Sequence, residues 1–379
     1  AQLIEKGREN LILQSNNFSD SDWTKTGLSL VSGGQSGYDG SNDAYLITSN
    51  ASTVNHYLRQ SGATQSGVQT YSIYAKGNGY DVQLRATGIG STTNWVSFNL
   101  VSGSVGTSGA GIIESKMTSL GNGWYRCSAT FNDSGSPFIG VYMVEDADTA
   151  GSGPSFTGDG VSGVFLQDTQ VEQSLIATPY IETGGGTVQA GLLENTPRLD
   201  YSGGATCPSL LLEPSRANLI EQSEYFGDAS WTKQAGTTVS SNSIISPSGE
   251  MNGAEVTIGT NSNASLRANN LVVINTENTF SIYAKKGVGS TSLKLDVGDE
   301  GITTFTLTDQ WQRFEVIGTP TIANREFVDI ALNGNQGDTF YVWGAQLEQA
   351  SYATSYIPTY GTSQTRAQDV CNSAGDAAT

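Results

Sequence analysis

The residues best able to do chemistry are few. One histidine, His56, stands in NHYLRQ beside Tyr57 and Arg59. A single histidine excludes multi-histidine metal sites and the HExxH metalloprotease pattern. A Ser-His-Asp triad would have to use His56, and no GxSxG elbow accompanies it. The three cysteines, Cys127, Cys207 and Cys371, are too few and too widely spaced for a zinc site or a disulfide framework. At most one pair can form, and Cys207 with Cys371 is the pair outside strand-like sequence. Acidic residues come in pairs in turn-like sequence: Asp20/Asp22, Asp39/Asp43, Asp146/Asp148 and Asp299/Glu300. A calcium site needs about 6–8 oxygen ligands. No DxDxDG-type spacing is present, so these pairs read as solvated turns. No cofactor is expected, and Ca²⁺ has no specific motif behind it. Two carboxylates can hydrolyse a glycoside, but nothing singles out one pair. Duplication of a whole domain is also not expected of one active site. The expectation is a protein that is not an enzyme.

Composition narrows the partners. The 379 residues suggest two or three domains at roughly 150 residues each. Lys+Arg is 18 against 36 Asp+Glu, a net charge of −18. Such a surface repels phosphate backbones and anionic headgroups, so no nucleic-acid partner and no membrane insertion are expected. Only 14% of residues are charged, and 46 are glycine, a profile of extracellular β proteins. No apolar run reaches the roughly 18 residues of a spanning helix. No signal segment opens the chain. The start at Ala1 suggests a processed or excerpted chain.

The sequence repeats itself. Residues 3–25, LIEKGRENLILQSNNFSDSDWTK, match residues 211–233, LLEPSRANLIEQSEYFGDASWTK, at about 13 of 23 positions. YSIYAK (71–76) matches FSIYAK (280–285). GWYR (123–126) meets QWQR (310–313), and QVEQSLIATPYI (170–181) matches QLEQASYATSYI (346–357). The block order is the same in both halves. The first copy is longer, mostly between Lys76 and Trp124. The expected organisation is a lead-in at 1–9, one repeat at 10–182, a linker at 183–217, a second repeat at 218–360 and an extension at 361–379. The extension looks like the start of another joint, as in a longer array.

Each copy reads as all-β. Tyr71, Ile73 and Ala75 alternate with Ser72, Tyr74 and Lys76, a period of two. Residues 82–86, 98–101, 124–128, 293–297 and 340–343 are further expected strands, separated by Gly/Asn/Asp/Ser turns. Many short strands at this spacing imply two tandem jelly-roll β-sandwiches. Tyr74, Gln83 and Arg85 fall on the outward phase of neighbouring segments. With Trp95 they form an expected polar-aromatic platform for a glycan, since ring faces pack on the apolar face of a sugar. The matching face of the second copy carries Tyr283, Lys294 and Asp296. Burial of these faces in the sandwich or at a subunit contact is the competing expectation. Trp23/Trp231 and Trp124/Trp311 read as packing residues. Glu5/Arg8 and Glu213/Arg216 read as ion pairs pinning each lead-in, worth about 0–1 kcal/mol if exposed.

The pattern NLI-x-Q-S-x-x-F, [YF]-S-I-Y-A-K, W-x-R and Q-[VL]-E-Q…A-T-x-Y-I resembles modules of bacteriophage tail-fibre and head-fibre appendages, and repeats in bacterial surface proteins. More distantly it resembles carbohydrate-binding modules of the family 4/9 type, which are jelly-roll sandwiches. The resemblance implies a virion structural protein exposed on the particle surface. Its implied partners are other virion proteins and cell-surface or secreted polysaccharide. It also implies a homo-oligomer, commonly a trimer. The alternatives are a secreted bacterial adhesin or accessory module of a polysaccharide-degrading system, and a ligand-free spacer.

Overall fold

The computed structural model describes residues 7–62, 65–87, 93–134, 138–191, 198–200, 209–260, 264–289, 292–333 and 335–370. Glu5, Cys207 and Cys371 lie outside them, and with them the expected Glu5/Arg8 and Cys207/Cys371 pairs. The chain divides into two compact units, residues 7–190 and residues 191 onward. Among the described residues every regular element is a β-strand.

The first unit is a sandwich of two six-stranded antiparallel sheets. The first sheet runs through Ser104–Ser108, Trp95–Asn99, Asp81–Thr87, Phe138–Val144, Tyr57–Ser61 and Thr24–Thr26. The second runs through Ile112–Gly121, Trp124–Ser134, Ser66–Asn78, Gly163–Glu172, Ala44–Ser49 and Leu28–Gln35. Tyr71, Ile73 and Ala75 point inward, as their alternation requires, into a core that includes Val82, Leu84, Val96, Phe98, Val141 and Met143. Burying each large apolar side chain contributes about 1.5–3 kcal/mol. The opposite phase is not solvated: Ser72 and Tyr74 are buried too. The segment around Thr178 and the Tyr38 ring cover that outer side.

The second unit repeats this order with five strands per sheet. Its first sheet is Trp231–Gln234, Ser265–Asn269, Phe327–Asn333, Ser292–Val297 and Gly301–Thr306. Its second is Thr238–Ile244, Gly253–Thr257, Thr339–Glu348, Asn278–Lys286 and Gln312–Gly318. The additional residues of the first copy build Ser104–Ser108 and Ile112–Gly121, one extra edge strand on each sheet. The strand expected at 98–101 stops at Asn99. There the Asn99 side-chain oxygen accepts the N–H groups of Val101 and Ser102 at 3.0 and 2.9 Å, which turns the chain.

The repeated motifs are explained by buried polar chemistry. Asn10 donates to the carbonyls of Thr169 and Ile181 at 3.1 and 2.8 Å. Its oxygen accepts from Ile12 and Val171 N–H, both at 3.1 Å. Asn218 makes the same four bonds in the second unit, to Ala345, Ile357, Ile220 and Leu347. In QVEQ…AT, Gln170 donates to Glu172, and Glu172 accepts from the Thr178 backbone and hydroxyl. Gln346, Glu348 and Thr354 repeat that arrangement. Trp23 and Trp231 are buried, and each indole donates to the carbonyl of Gln14 or Gln222.

The lead-in and joint residues are woven into the units. Arg8–Asn10 pairs with Val188–Ala190, and Arg216–Asn218 pairs with Gln364–Arg366. The expected Glu213/Arg216 ion pair is replaced. Glu213 pairs with Arg366 at 3.1 Å, while Arg216 lies over the Tyr352 ring. Strand pairing of the extension with the lead-in brings Arg366 close, which no local spacing foretells.

Candidate binding face

The strands Ser66–Asn78 and Asp81–Thr87 are consecutive in the chain but belong to opposite sheets. Their outward phases therefore look away from each other. Tyr74 is separated from Gln83, Arg85 and Trp95, and the four-residue platform expected from the sequence does not form. Tyr74 stacks on Tyr38 with ring centroids 3.8 Å apart, and Arg126 lies over it. Tyr283 occupies the matching place in the second unit. It packs on Trp343 under Arg313, in a different sheet from Lys294 and Asp296.

Beside Tyr38 lies Asp168, a left-handed residue at φ 47° whose carboxylate accepts the Tyr38 hydroxyl at 2.9 Å. Burial pushes its carboxyl up to about 6, against the Tyr38 hydrogen bond, and Asp43, Asp39 and Glu182 add like charge. A carboxyl raised in the folded state holds its proton more tightly there than in the unfolded chain. Its favourable contribution is thus present at low pH and is lost as pH rises from about 4 through about 6. The first unit is expected to lose on the order of 2 kcal/mol across that window, after allowance for solvent screening. Asp168→Asn should flatten this slope. Calorimetric melts of both proteins across the window check it, and parallel profiles would refute it.

Gln83, Arg85 and Trp95 do share one face, the outer side of the first sheet. The register places Thr24, Arg59, Gly140, Arg85 and Trp95 in one row across five strands. The next row is Thr26, Tyr57, Tyr142, Gln83 and Ser97. Phe138 follows on the other side of Gly140. Arg59 lies over the Phe138 ring at 4.2 Å and the Tyr57 ring at 5.1 Å. Arg85 lies over Tyr142 at 5.3 Å, and Tyr142 meets Tyr57 at 4.7 Å. Burial raises the Tyr142 hydroxyl above its ordinary range, opposed by the charges of Arg85 and Arg59.

Gln83 is not a contact residue of this face. It is fully buried, donating to Ser97 and Gly151 and accepting from Gly153 N–H. Those bonds lash the loop at 151–153 against the sheet, beside Arg85. Arg85, Trp95, Tyr57, Arg59 and Phe138 remain partly exposed. Gly140, between the two arginines in this row, is buried and carries no side chain. A Cβ there would stand 2.8 Å from the Leu58 carbonyl and 2.9 Å from the Arg59 Cβ. Among the described residues, no ion pair includes Arg59 or Arg85.

The second unit shows what the same scaffold looks like when filled. By strand register, Arg267 stands for Arg59, Asp329 for Gly140, Asp296 for Arg85 and Ile302 for Trp95. Ser265 and Ala331 replace Tyr57 and Tyr142. Asp329 accepts from Arg267 Nε at 3.0 Å and from its Nη2, and from Ser265 at 3.2 Å. Lys294 approaches Asp296 at 4.0 Å. This face neutralises its own charges and carries neither tyrosine.

The remaining candidates are structural. His56 is buried between loops, with its ring nitrogens against the carbonyls of Gly27 and Phe156. Asp20, Asp146 and Asp159 cap turns, and Asp299 pairs with Arg325. Cys127 is a free, buried thiol. Among the described residues, no three His, Cys, Asp or Glu side chains converge as metal ligands.

No protein-family model matches the chain, and neither does any curated protein. Among solved structures it is similar to the N-terminal CBM22-1-CBM22-2 tandem domain of Paenibacillus barcinonensis Xyn10C. That likeness is 12% identity over 92% of this chain and 99% of that one, with a TM-score of 0.29. An anti-sigma factor domain-containing protein is similar at 10% identity over 95% of this chain and 99% of that one, TM-score 0.17. A GH78 family rhamnosidase of Bacillus sp. GL1 is similar at 8% identity over 87% of this chain and 35% of that one, TM-score 0.18. Such distant likenesses carry no functional argument. The fold class, tandem β-sandwiches, rests on the sheets themselves.

Proposed function

We propose that this chain is a non-catalytic glycan-attachment protein, in which the outer face of the first sheet of the first unit holds saccharide. One observation carries the reading. The same scaffold occurs twice, and at these positions only the first copy presents partly exposed tyrosine and tryptophan rings beside arginines that have no ion-pair partner among the described residues. Partly exposed rings of Tyr57, Phe138 and Trp95 suit the apolar faces of sugars, and the arginines suit their oxygens. The second unit, with its face closed by Asp329, serves as a spacer. The setting we propose is a virion appendage, as a fibre or decoration built from homo-oligomers, commonly trimers, of this chain with other virion proteins. That setting rests on the resemblance of the repeated motifs to phage appendage modules. Weak single sites gain from repetition, since linked copies add about 10²–10⁴ in avidity.

Two measurements test the proposal. On a glycan array the full chain is expected to retain polysaccharide, and Trp95→Ala or Tyr57→Ala should weaken retention by about tenfold or more. An empty array, or variants that bind as wild type, would overturn the binding face. Cryo-electron microscopy of the source particle should place the chain on a capsid or tail. Finding it on a cell surface or free in the medium would replace the virion setting with a secreted adhesin or accessory module.

A further inference from the structure

We infer that the ligand of the first unit is an acidic saccharide, a chain of carboxylate-bearing sugars held by Arg59 and Arg85. The inference rests on the glycan-binding reading above and names the chemical class. Three observations carry it. First, the chain has 36 acidic residues against 18 basic ones, yet Arg59 and Arg85 stand without a carboxylate partner among the described residues. The nearest acid on the same strand face, Asp81, is occupied by the N–H groups of Leu100 and Ala147 at 2.7 and 3.1 Å.

Second, each guanidinium is stacked on aromatic rings, Arg59 on Phe138 and Tyr57, Arg85 on Tyr142. Stacking occupies the flat side of a guanidinium and fixes its plane. The Nε of each is buried, so the terminal nitrogens are what each can offer to the two-bond grip of a planar carboxylate. The two arginines sit on strands separated by that of Gly140, about 10 Å apart at the backbone. That span is comparable to a disaccharide, so successive acidic sugars can meet both.

Third, the second unit answers the question of what Arg59 lacks. At the equivalent of Gly140 it has Asp329, and that carboxylate grips Arg267 through two guanidinium nitrogens. The protein's own aspartate thus gives the arginine of one copy a carboxylate that Arg59 lacks in the other. Asp296 at the equivalent of Arg85 removes the second cation. A neutral glycan would give no reason for the first copy to keep two stacked, unpaired cations in a strongly acidic protein.

The test uses the full chain in isothermal titration against oligogalacturonate, its fully methyl-esterified form and polyglutamate. The expected order is binding of oligogalacturonate alone, weakening as salt is raised. Arg59→Gln, Arg85→Gln and Gly140→Asp should each lower that affinity about tenfold or more, while Arg267→Gln leaves it unchanged. Circular dichroism confirms that each variant is folded. Equal binding of the methyl ester would overturn the acidic class and leave a saccharide-binding face. Equal binding of polyglutamate would show a charge-only patch and overturn the saccharide. Binding of none of the three, with neutral glycans retained on the array, would again overturn only the acidic class. Binding of no glycan of any kind would overturn both readings.

Discussion

Asn218→Ala is expected to destabilise the second unit by about 3–4 kcal/mol, and Asn10→Ala the first unit by as much. Each asparagine is fully buried and satisfies four backbone groups at once. Alanine leaves two N–H donors and two carbonyls without that partner, in a place water does not reach. An orphaned buried group costs about 1–3 kcal/mol, and partial relaxation keeps the total below the sum. Aspartate is no rescue, because it cannot donate to the two carbonyls. A unit of this size should melt about 10 °C lower. Calorimetry of the full chain reads this directly. Asn10→Ala should move one transition and Asn218→Ala the other. An unmoved thermogram would show that the asparagines are not the clasp of the entry segment.

Trp231→Ala should cost the second unit about 3–5 kcal/mol, with Trp23→Ala doing the same to the first. Both indoles are buried against a phenylalanine, Phe226 at 5.0 Å and Phe18 at 5.2 Å. Removing the ring opens a cavity and takes the indole N–H away from the carbonyl of Gln222 or Gln14, of which Gln14 keeps the Asn17 N–H. Trp231→Phe separates the two effects. It keeps most of the packing and loses the hydrogen bond, so about 1–2 kcal/mol is expected. Denaturant unfolding followed by fluorescence gives both values. If the phenylalanine variant proves as damaged as the alanine one, the polar contact outweighs the packing.

These two results bear on how far the sequence could be read. Period-two alternation at Tyr71, Ile73 and Ala75 is a local property, and it announced a strand and its inward side. The repeat announced that Asn10, Trp23 and Gln170 had counterparts, and their packing role follows from shared burial. The candidate face was only half legible. Gln83, Arg85 and Trp95 lie on it, but Tyr74 and Tyr283 do not. Neighbouring segments of a sandwich cross between sheets, so adjacency along the chain says little about which side a residue faces. Arg59 and Tyr142 come from strands far from Arg85 in sequence, and only register brings them together. The alternation in HYLRQ and in PFIGVYM was a usable signal for both. Gly140 offered none, because what it supplies is the absence of a side chain.

That glycine has a consequence for how the molecule can change. Codons for glycine and aspartate can differ in a single base. The bare backbone at Gly140 and the carboxylate at Asp329 are therefore one point mutation apart at this position. A gene holding both copies keeps two versions of this position on one chain, one with a carboxylate and one without. Converting one face into the other takes more than that base, because Asp296, Ser265, Ala331 and Ile302 also replace Arg85, Tyr57, Tyr142 and Trp95. Nor would that base change be free of strain in the first copy, where a Cβ at Gly140 meets the Leu58 carbonyl at 2.8 Å and something must shift to admit it.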